Sequence, residues 1–300
     1  MGPTACGKSL LASKLRELIP IELISVDSAL IYRGMNIGTA KPTQLELFHN
    51  PYHLINIKDP VERYSVNEFQ RNALKAIKYI ISLGKIPLLV GGTMFYFKVL
   101  LEGLPQLPSS NYNVRLHLYS MKERKNFLYE KLKKIDIESS KRIHPNDIQR
   151  IVRALEIFYT SGKTLTELTK FKSYTFPYKV IQFSVIPYSK SWLKNNISVR
   201  FYKMLSLGFQ DEVKYFLNRG DLNINLPSMR CVGYKQMWNY LSKNLSYTDM
   251  IQESISATQK LAKNQLTWLK NWKNVNVLKN FGNIDTLSNK IVGIVKATYF

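Results

Sequence analysis

The first chemistry legible in the chain stands at its start. Gly2-Pro3-Thr4-Ala5-Cys6-Gly7-Lys8-Ser9 fits the phosphate-loop pattern of a glycine, four residues, then Gly-Lys-Ser. Each fixed position has a task. Gly2 and Gly7 allow backbone turns that a Cβ obstructs, so successive N–H groups converge on one anion-sized hollow. Lys8 brings a charge to the outer phosphates, and Ser9 brings a hydroxyl suited to Mg²⁺. Asp27 ends an apolar run, where a carboxylate serves as Mg²⁺ partner, general base or helix cap. Gly91-Gly92-Thr93 ends another such run, at the place where a nucleotide hydrolase carries a second acidic Mg²⁺ ligand, and here there is none. That absence weighs against an ATPase or a kinase.

These residues need elements to hold them. Leu10, Leu11, Leu15 and Leu18 recur at helical spacing after Ser9, which sets the phosphates on a helix N-terminus. Ile21–Val26 reads as a strand, and in a parallel α/β sheet the carboxyl ends of strands line the ligand crevice, so Asp27 belongs beside the phosphate loop. Residues 32–41 form a glycine-punctuated loop over the site, 52–57 a strand, and 66–83 a helix with Ser65 and Glu68 as its capping box and Gly84 as its stop. The continuous apolar run 86–90 predicts a parallel strand buried on both faces. Further helices are expected over 192–207 and 248–272. On the last, Ile251, Ile255, Ala262, Leu266 and Leu269 make a core stripe, and Trp268 and Trp272 are expected to pack. The fold class is therefore α/β, a phosphate-loop parallel sheet flanked by helices. A phosphate loop ordinarily follows a buried strand, whereas this sequence opens on the loop, so either a strand precedes it or the sheet tolerates its absence.

A proline-rich stretch from Leu104 to Ser110 divides the chain. Residues 1–104 and 181–300 form the expected core, and 105–180 a mainly helical, basic insertion. With 45% hydrophobic residues the chain has ample material for a packed interior. Lys and Arg number 43 against 21 Asp and Glu, a net charge of +22, distributed as +5, +10 and +7 over successive hundreds of residues. A field of this size attracts polyanions and, with a phosphate loop, points to nucleic acid as second substrate; a Lys- and Asn-rich coding bias produces the same number. Arg150 and Arg153, three apart, are a solvated face or a phosphate clamp. Arg230 and Lys235 flank Gly233 and Tyr234, the mix expected where phosphates and unstacked bases are held. The two cysteines, Cys6 and Cys231, give neither a disulfide framework nor a zinc site. No apolar run approaches the ~20 residues that span a bilayer, so a cytoplasmic location without a membrane partner is expected, with the chain as a monomer.

The segments GPTACGKS, LISVDSALIYRGMNIGTAKP, PLLVGGTMFY, RIHPNDIQRIVRALE, LPSMRCVGYKQ and QLTWLKNW, in this order over nearly the whole chain, closely resemble the bacterial tRNA dimethylallyltransferase family. The resemblance implies transfer of a dimethylallyl group from dimethylallyl diphosphate to N6 of the adenine 3′-adjacent to a tRNA anticodon. The phosphate loop would then bind a diphosphate instead of a nucleoside triphosphate, with Mg²⁺ as cofactor. By position, Gly2, Pro3, Thr4, Ala5, Cys6, Gly7, Lys8 and Ser9 would cradle the diphosphate, Ser9 would hold Mg²⁺, and Asp27 would be the general base. Thr93 would lie at the reaction channel and Arg200 on the leaving diphosphate. Contacts to the anticodon stem-loop would come from Asp27, Ser28, Ala29, Leu30, Thr93 and Arg115, from Gln149, Arg150, Ile151, Val152 and Arg153, and from Arg230, Cys231, Val232, Gly233, Tyr234 and Lys235. Where the family usually carries arginine in the last helix, this chain has Gln259 and Asn264. Two readings compete: a small-molecule phosphotransferase or adenylate prenyltransferase on the same fold, and a non-catalytic RNA-binding protein.

Overall fold

Helix α1 (Lys8–Leu18) starts at Gly7, whose φ of 80° is the left-handed turn that a side chain resists, and Gly7 O accepts Leu11 N–H at 3.1 Å. The helix buries Leu11, Ala12 and Leu15. Leu10 and Leu18, expected on the same stripe, are exposed, and Leu10 lines a cavity at the loop instead. Next come β1 (Ile21–Val26), α2 (Gln44–His49), β2 (Tyr52–His53), α3 (Val66–Ser82), β3 (Ile86–Gly91) and α4 (Met94–Glu102). The Ser65 hydroxyl accepts Glu68 N–H at 3.2 Å while the Glu68 carboxylate accepts Ser65 N–H at 2.8 Å, the reciprocal box that fixes the start of α3. The strand expected over 52–57 stops at His53, because Leu54 and Asn56 take left-handed φ of 66° and 57°. Those turns bring Ile57 and Lys58 N–H onto Ile31 O, at 2.8 and 3.0 Å, and so dock the segment against the loop over the site.

The computed structural model describes residues 1–121, 125–170 and 174–299, in two compact units, 1–100 with 178–299 and 101–177. In the second unit five helices stand among the described residues: α5 (Tyr112–Ser120), α6 (Lys125–Ile135), α7 (Ile137–Arg142), α8 (Ile148–Ser161) and α9 (Leu165–Thr169). Leu118, Leu128, Leu132, Ile151, Val152 and Leu155 form its core. The first unit continues with β4 (Phe183–Pro187), α10 (Lys190–Ser206), α11 (Phe209–Asn218), α12 (Tyr234–Leu241), α13 (Tyr247–Lys270), β5 (Asn276–Asn280) and α14 (Ile284–Tyr299).

Strands β2, β1 and β3 form one parallel sheet in that order, with Leu23 opposite both Tyr52 and Leu88; β4 and β5 form a second parallel pair. One core joins the two sheets, with Leu11, Leu15, Leu23, Val185, Leu278 and Ile291 among its members. Met1 pairs with β4, its amino group donating to Phe183 O and its carbonyl accepting Val185 N–H, both at 2.8 Å. Gly2 follows between Val185 and Gly92; a Cβ on Gly2 would stand 2.5 Å from Val185 O. The phosphate loop thus leaves from between the carboxyl ends of β3 and β4. Among the described residues β3 pairs with β1 alone, and 86–90 are half-buried, not buried on both faces as their apolar run suggested. A separate core cluster holds Ile31, Tyr32 and Met35 against Phe209, Phe216 and Tyr234, which pins the loop over the site to α11 and α12.

Candidate active site

Two cavities of about 470 and 500 Å³ lie in the first unit, each of a size that holds a small ligand. The first is lined by the phosphate loop from Thr4 to Leu10, with Ser25, Tyr52 and Trp192. The second is lined by Ser28, Ala29 and Thr93, by the stretch from Arg230 to Gly233, and by Asn264, Gln265 and Trp268 of α13. Thr4, Asp27, Thr39 and Arg200 line both. The two spaces therefore meet at a carboxylate, a guanidinium and two threonines.

The electrostatics of the loop side favour an anion. Lys8 folds its ammonium toward Pro3 O, 2.5 Å away, and desolvation there pushes its pKa down to about 8. Arg200, carried by α10, donates from Nη2 to Thr4 Oγ1 at 2.6 Å and has no ion-pair partner among the described residues. Burial pulls its pKa below the usual guanidinium value, and the charge of Asp27 only partly offsets this. Burial pushes the Cys6 thiol up to about 11, so it stands in the loop as a small apolar group. Ser25 Oγ is buried with no hydrogen-bond partner among the described residues, and Ser25 and Tyr52 both line this cavity.

Asp27 is held by its own backbone turn. Its Oδ1 accepts Ala29 N–H at 2.8 Å and Leu30 N–H at 3.3 Å, which leaves Oδ2 without a hydrogen bond among the described residues. Thr93 Oγ1 accepts Ser28 N–H at 3.2 Å, so the turn after β3 steadies the residue next to Asp27. Glycine is required in that turn: a Cβ on Gly91 would come within 2.0 Å of Val26 O. Further out, the Glu212 carboxylate accepts three backbone N–H groups, from Asn36 at 2.8 Å, Ile37 at 2.7 Å and Gly38 at 3.0 Å, together with the Tyr234 hydroxyl at 2.5 Å. This fixes the loop that carries Thr39.

Several residues expected on an RNA surface are placed otherwise. Ile151 and Val152 are core residues of the second unit, because α8 turns them inward with Ala154, Leu155 and Ile157. Tyr234 is fully buried among Phe209 and Phe216 with its hydroxyl on Glu212, so its ring is not free to stack on a base. Arg115 and Arg153 pair with the fully buried Glu156 at 2.9 and 2.7 Å. Gln149 and Arg150 are exposed, the latter paired with Asp147. Arg230 and Lys235 are exposed. Trp268, expected to pack, is 40% exposed on the wall of the second cavity with the Lys98 ammonium 5.8 Å from its ring, whereas Trp272 is half-buried and donates to Gln182 Oε1 at 2.8 Å.

Two residues at the site escaped sequence reasoning. Gln265 lies inside the quoted segment QLTWLKNW but reads there as one polar position of a helix. Glu212 carries no motif at all.

No helix among the described residues is long and apolar enough to cross a membrane. The chain is similar in sequence to the tRNA dimethylallyltransferase of Buchnera aphidicola subsp. Baizongia pistaciae (strain Bp), 58% identical over all of this chain and 94% of that one. It is similar also to that of Buchnera aphidicola subsp. Acyrthosiphon pisum (strain Tuc7), 57% identical over all of this chain and 99% of its relative. In structure it resembles the full-length tRNA isopentenylpyrophosphate transferase from Bacillus halodurans, with a TM-score of 0.72 and 34% identity over 99% of this chain and 95% of the other. It also resembles a eukaryotic dimethylallyltransferase described as acting on tRNA, with a TM-score of 0.81 and 25% identity over 97% and 76% of the two chains. The sequence profile of the IPP transferase family matches residues 30–272, a span that begins after the phosphate loop and Asp27 and so is independent of both, and the chain belongs to that family.

Proposed function

We propose that the chain transfers a dimethylallyl group from dimethylallyl diphosphate to N6 of the adenine 3′-adjacent to the anticodon in tRNA, acting as a monomer in the cytoplasm. The observation that carries this reading is the meeting of two cavities at Asp27 and Arg200. One side offers phosphate-binding amides and a lysine. The other is walled by an exposed tryptophan, with arginine at its rim, and takes a base that has been drawn out of its stack.

The chemistry divides between the two sides. The adenine amine attacks the allylic carbon, the carbon–oxygen bond breaks, and the diphosphate leaves with the bonding pair. Loop N–H groups, Lys8 and Arg200 hold the charge that develops on the leaving oxygens. The proton lost by N6 passes to the free Oδ2 of Asp27, which its Oδ1 contacts keep oriented. Because no γ-phosphate is attacked, the turn at Gly91-Gly92-Thr93 needs no acid.

Mg²⁺ fits the residues present. Ser9, the buried Ser25 Oγ, which has no partner among the described residues, and Asp27 Oδ2 offer hard oxygens on one cavity, the ligand chemistry that Mg²⁺ selects. Ser9 would hold it, and when bound it supplies neutralising charge for the diphosphate. Arg230 and Lys235, both exposed, would engage RNA phosphates, as would Gln149 and Arg150 of the helical unit.

The reading is tested with purified chain, Mg²⁺, dimethylallyl diphosphate and an anticodon stem-loop bearing adenine at the target position. The expected product is the stem-loop heavier by one dimethylallyl group in place of a hydrogen. No gain from folded protein, or faster prenylation of AMP than of the stem-loop, overturns it.

A further inference from the structure

Gln265 sits in the C-terminal part of α13, buried, and joins two parts of the site that are remote in sequence. Its Oε1 accepts Thr4 N–H at 2.8 Å, and its Nε2 donates to Gly92 O at 2.8 Å. The approach is close enough to dictate a residue type, since a Cβ on Gly92 would stand 2.4 Å from Gln265 Nε2. From either end the contacts run on without a break. Thr4 Oγ1 receives Arg200 Nη2–H, and Thr93, next to Gly92, holds the amide of Ser28 beside Asp27. One side-chain amide therefore ties the half of the site that binds the leaving group to the half that carries the base.

We propose that Gln265 is a positioning residue that sets the spacing between the diphosphate held by the phosphate loop and the amine held at Asp27. This rests on the transfer reading above. The two hydrogen bonds use the opposite ends of a planar amide, and the one other side chain of that shape, glutamate, both accepts and donates only after taking up a proton. Displacing two reacting groups by about 1 Å costs on the order of 10²-fold in rate, with little effect on how tightly each is bound. Gln265 touches neither reacting atom in this scheme. Its effect passes through Thr4 and Gly92.

The test uses Gln265→Leu and Gln265→Glu beside the wild-type chain. For Gln265→Leu, kcat is expected to fall by about 10–100-fold while KM for either substrate stays within about threefold. Hydrogen exchange of the peptide covering residues 2–6 should quicken, because the Thr4 amide loses its acceptor. Gln265→Glu keeps the shape. Ionised, its second oxygen opposes Gly92 O; protonated, it donates there as the amide did, and burial raises the pH at which it takes up the proton. Its activity relative to wild type should therefore rise roughly tenfold between about pH 8 and about pH 5.5, which a mere packing role does not produce. A Gln265→Leu kcat within about twofold of wild type, a change confined to KM, or a flat Gln265→Glu ratio each overturns the inference. If the wild type itself transfers nothing, the transfer reading is what fails, and unchanged exchange at residues 2–6 overturns the clamp independently.

Discussion

Arg200 and the arginines of the helical unit carry the same charge and have opposite partners. Arg115 and Arg153 close on Glu156, whose side chain has no exposed surface, and Arg153 also donates to Pro108 O at 2.8 Å. Burial alone would raise the Glu156 pKa, yet hydrogen bonds from Arg153, the Asn111 amide and Arg115 hold it below the ordinary carboxylate value. Arg200 has a threonine as its hydrogen-bond partner, and desolvation depresses its pKa by more than the nearby charge of Asp27 restores. A guanidinium neutralised inside the chain stabilises a fold, while one desolvated without a counter-ion gains when an anion enters. The net charge of +22 counts both kinds alike.

The contrast can be broken in order of expected effect. Asp27→Ala, removing the carboxylate that shares both cavities with Arg200, should cost about 10²–10⁴ in single-turnover rate while stem-loop binding persists. Turnover near that of wild type refutes the base assignment. Arg200→Ala should cost about 10²–10³ in kcat, as loss of a preorganised charge partner does, and a loss seen only in KM would place Arg200 in ground-state binding. On the other side, Glu156→Gln should take about 1.5–3 kcal/mol from the stability of the helical unit by urea denaturation, since a neutral amide cannot serve two guanidiniums. Arg150→Ala, breaking an exposed pair, should change it by less than about 0.5 kcal/mol; equal losses from the two would erase the distinction drawn here. A separate effect is in pH. With the Lys8 pKa at about 8, its cationic form predominates below that value and is lost above it. The kcat/KM for dimethylallyl diphosphate should then decline by up to about tenfold per pH unit on the alkaline side, and Lys8→Arg should shift that limb upward.

Much of the loop side could be read from sequence because its constraints are local. A phosphate loop needs its glycines at fixed spacing, β1 is an apolar run that ends on Asp27, and the Ser65–Glu68 box is a three-residue relation. What sequence missed depends on contacts between distant residues. Leu54 and Asn56 adopt positive φ with no glycine to announce it, so the strand over 52–57 looked continuous. Ile151 and Val152 stand in a segment rich in arginine, and only the packing of α8 shows that they face inward. Trp268, expected to pack, stands on the side of α13 that carries Leu261, Asn264 and Gln265, which line the second cavity, and so stays exposed. Gln265 is separated from Thr4 by 261 residues, a distance no spacing rule reaches.

The carboxylate of Glu212 has a further consequence. Three successive amides, those of Asn36, Ile37 and Gly38, point at one spot, which is the geometry of an anion nest. Left open within one residue of Thr39, that spot would compete with the phosphate loop for the same ligand. Glu212 fills it with an anion tethered to the chain. Under the proposed transfer, a diphosphate would find that spot already closed by the chain's own carboxylate, which leaves the phosphate loop as the productive address.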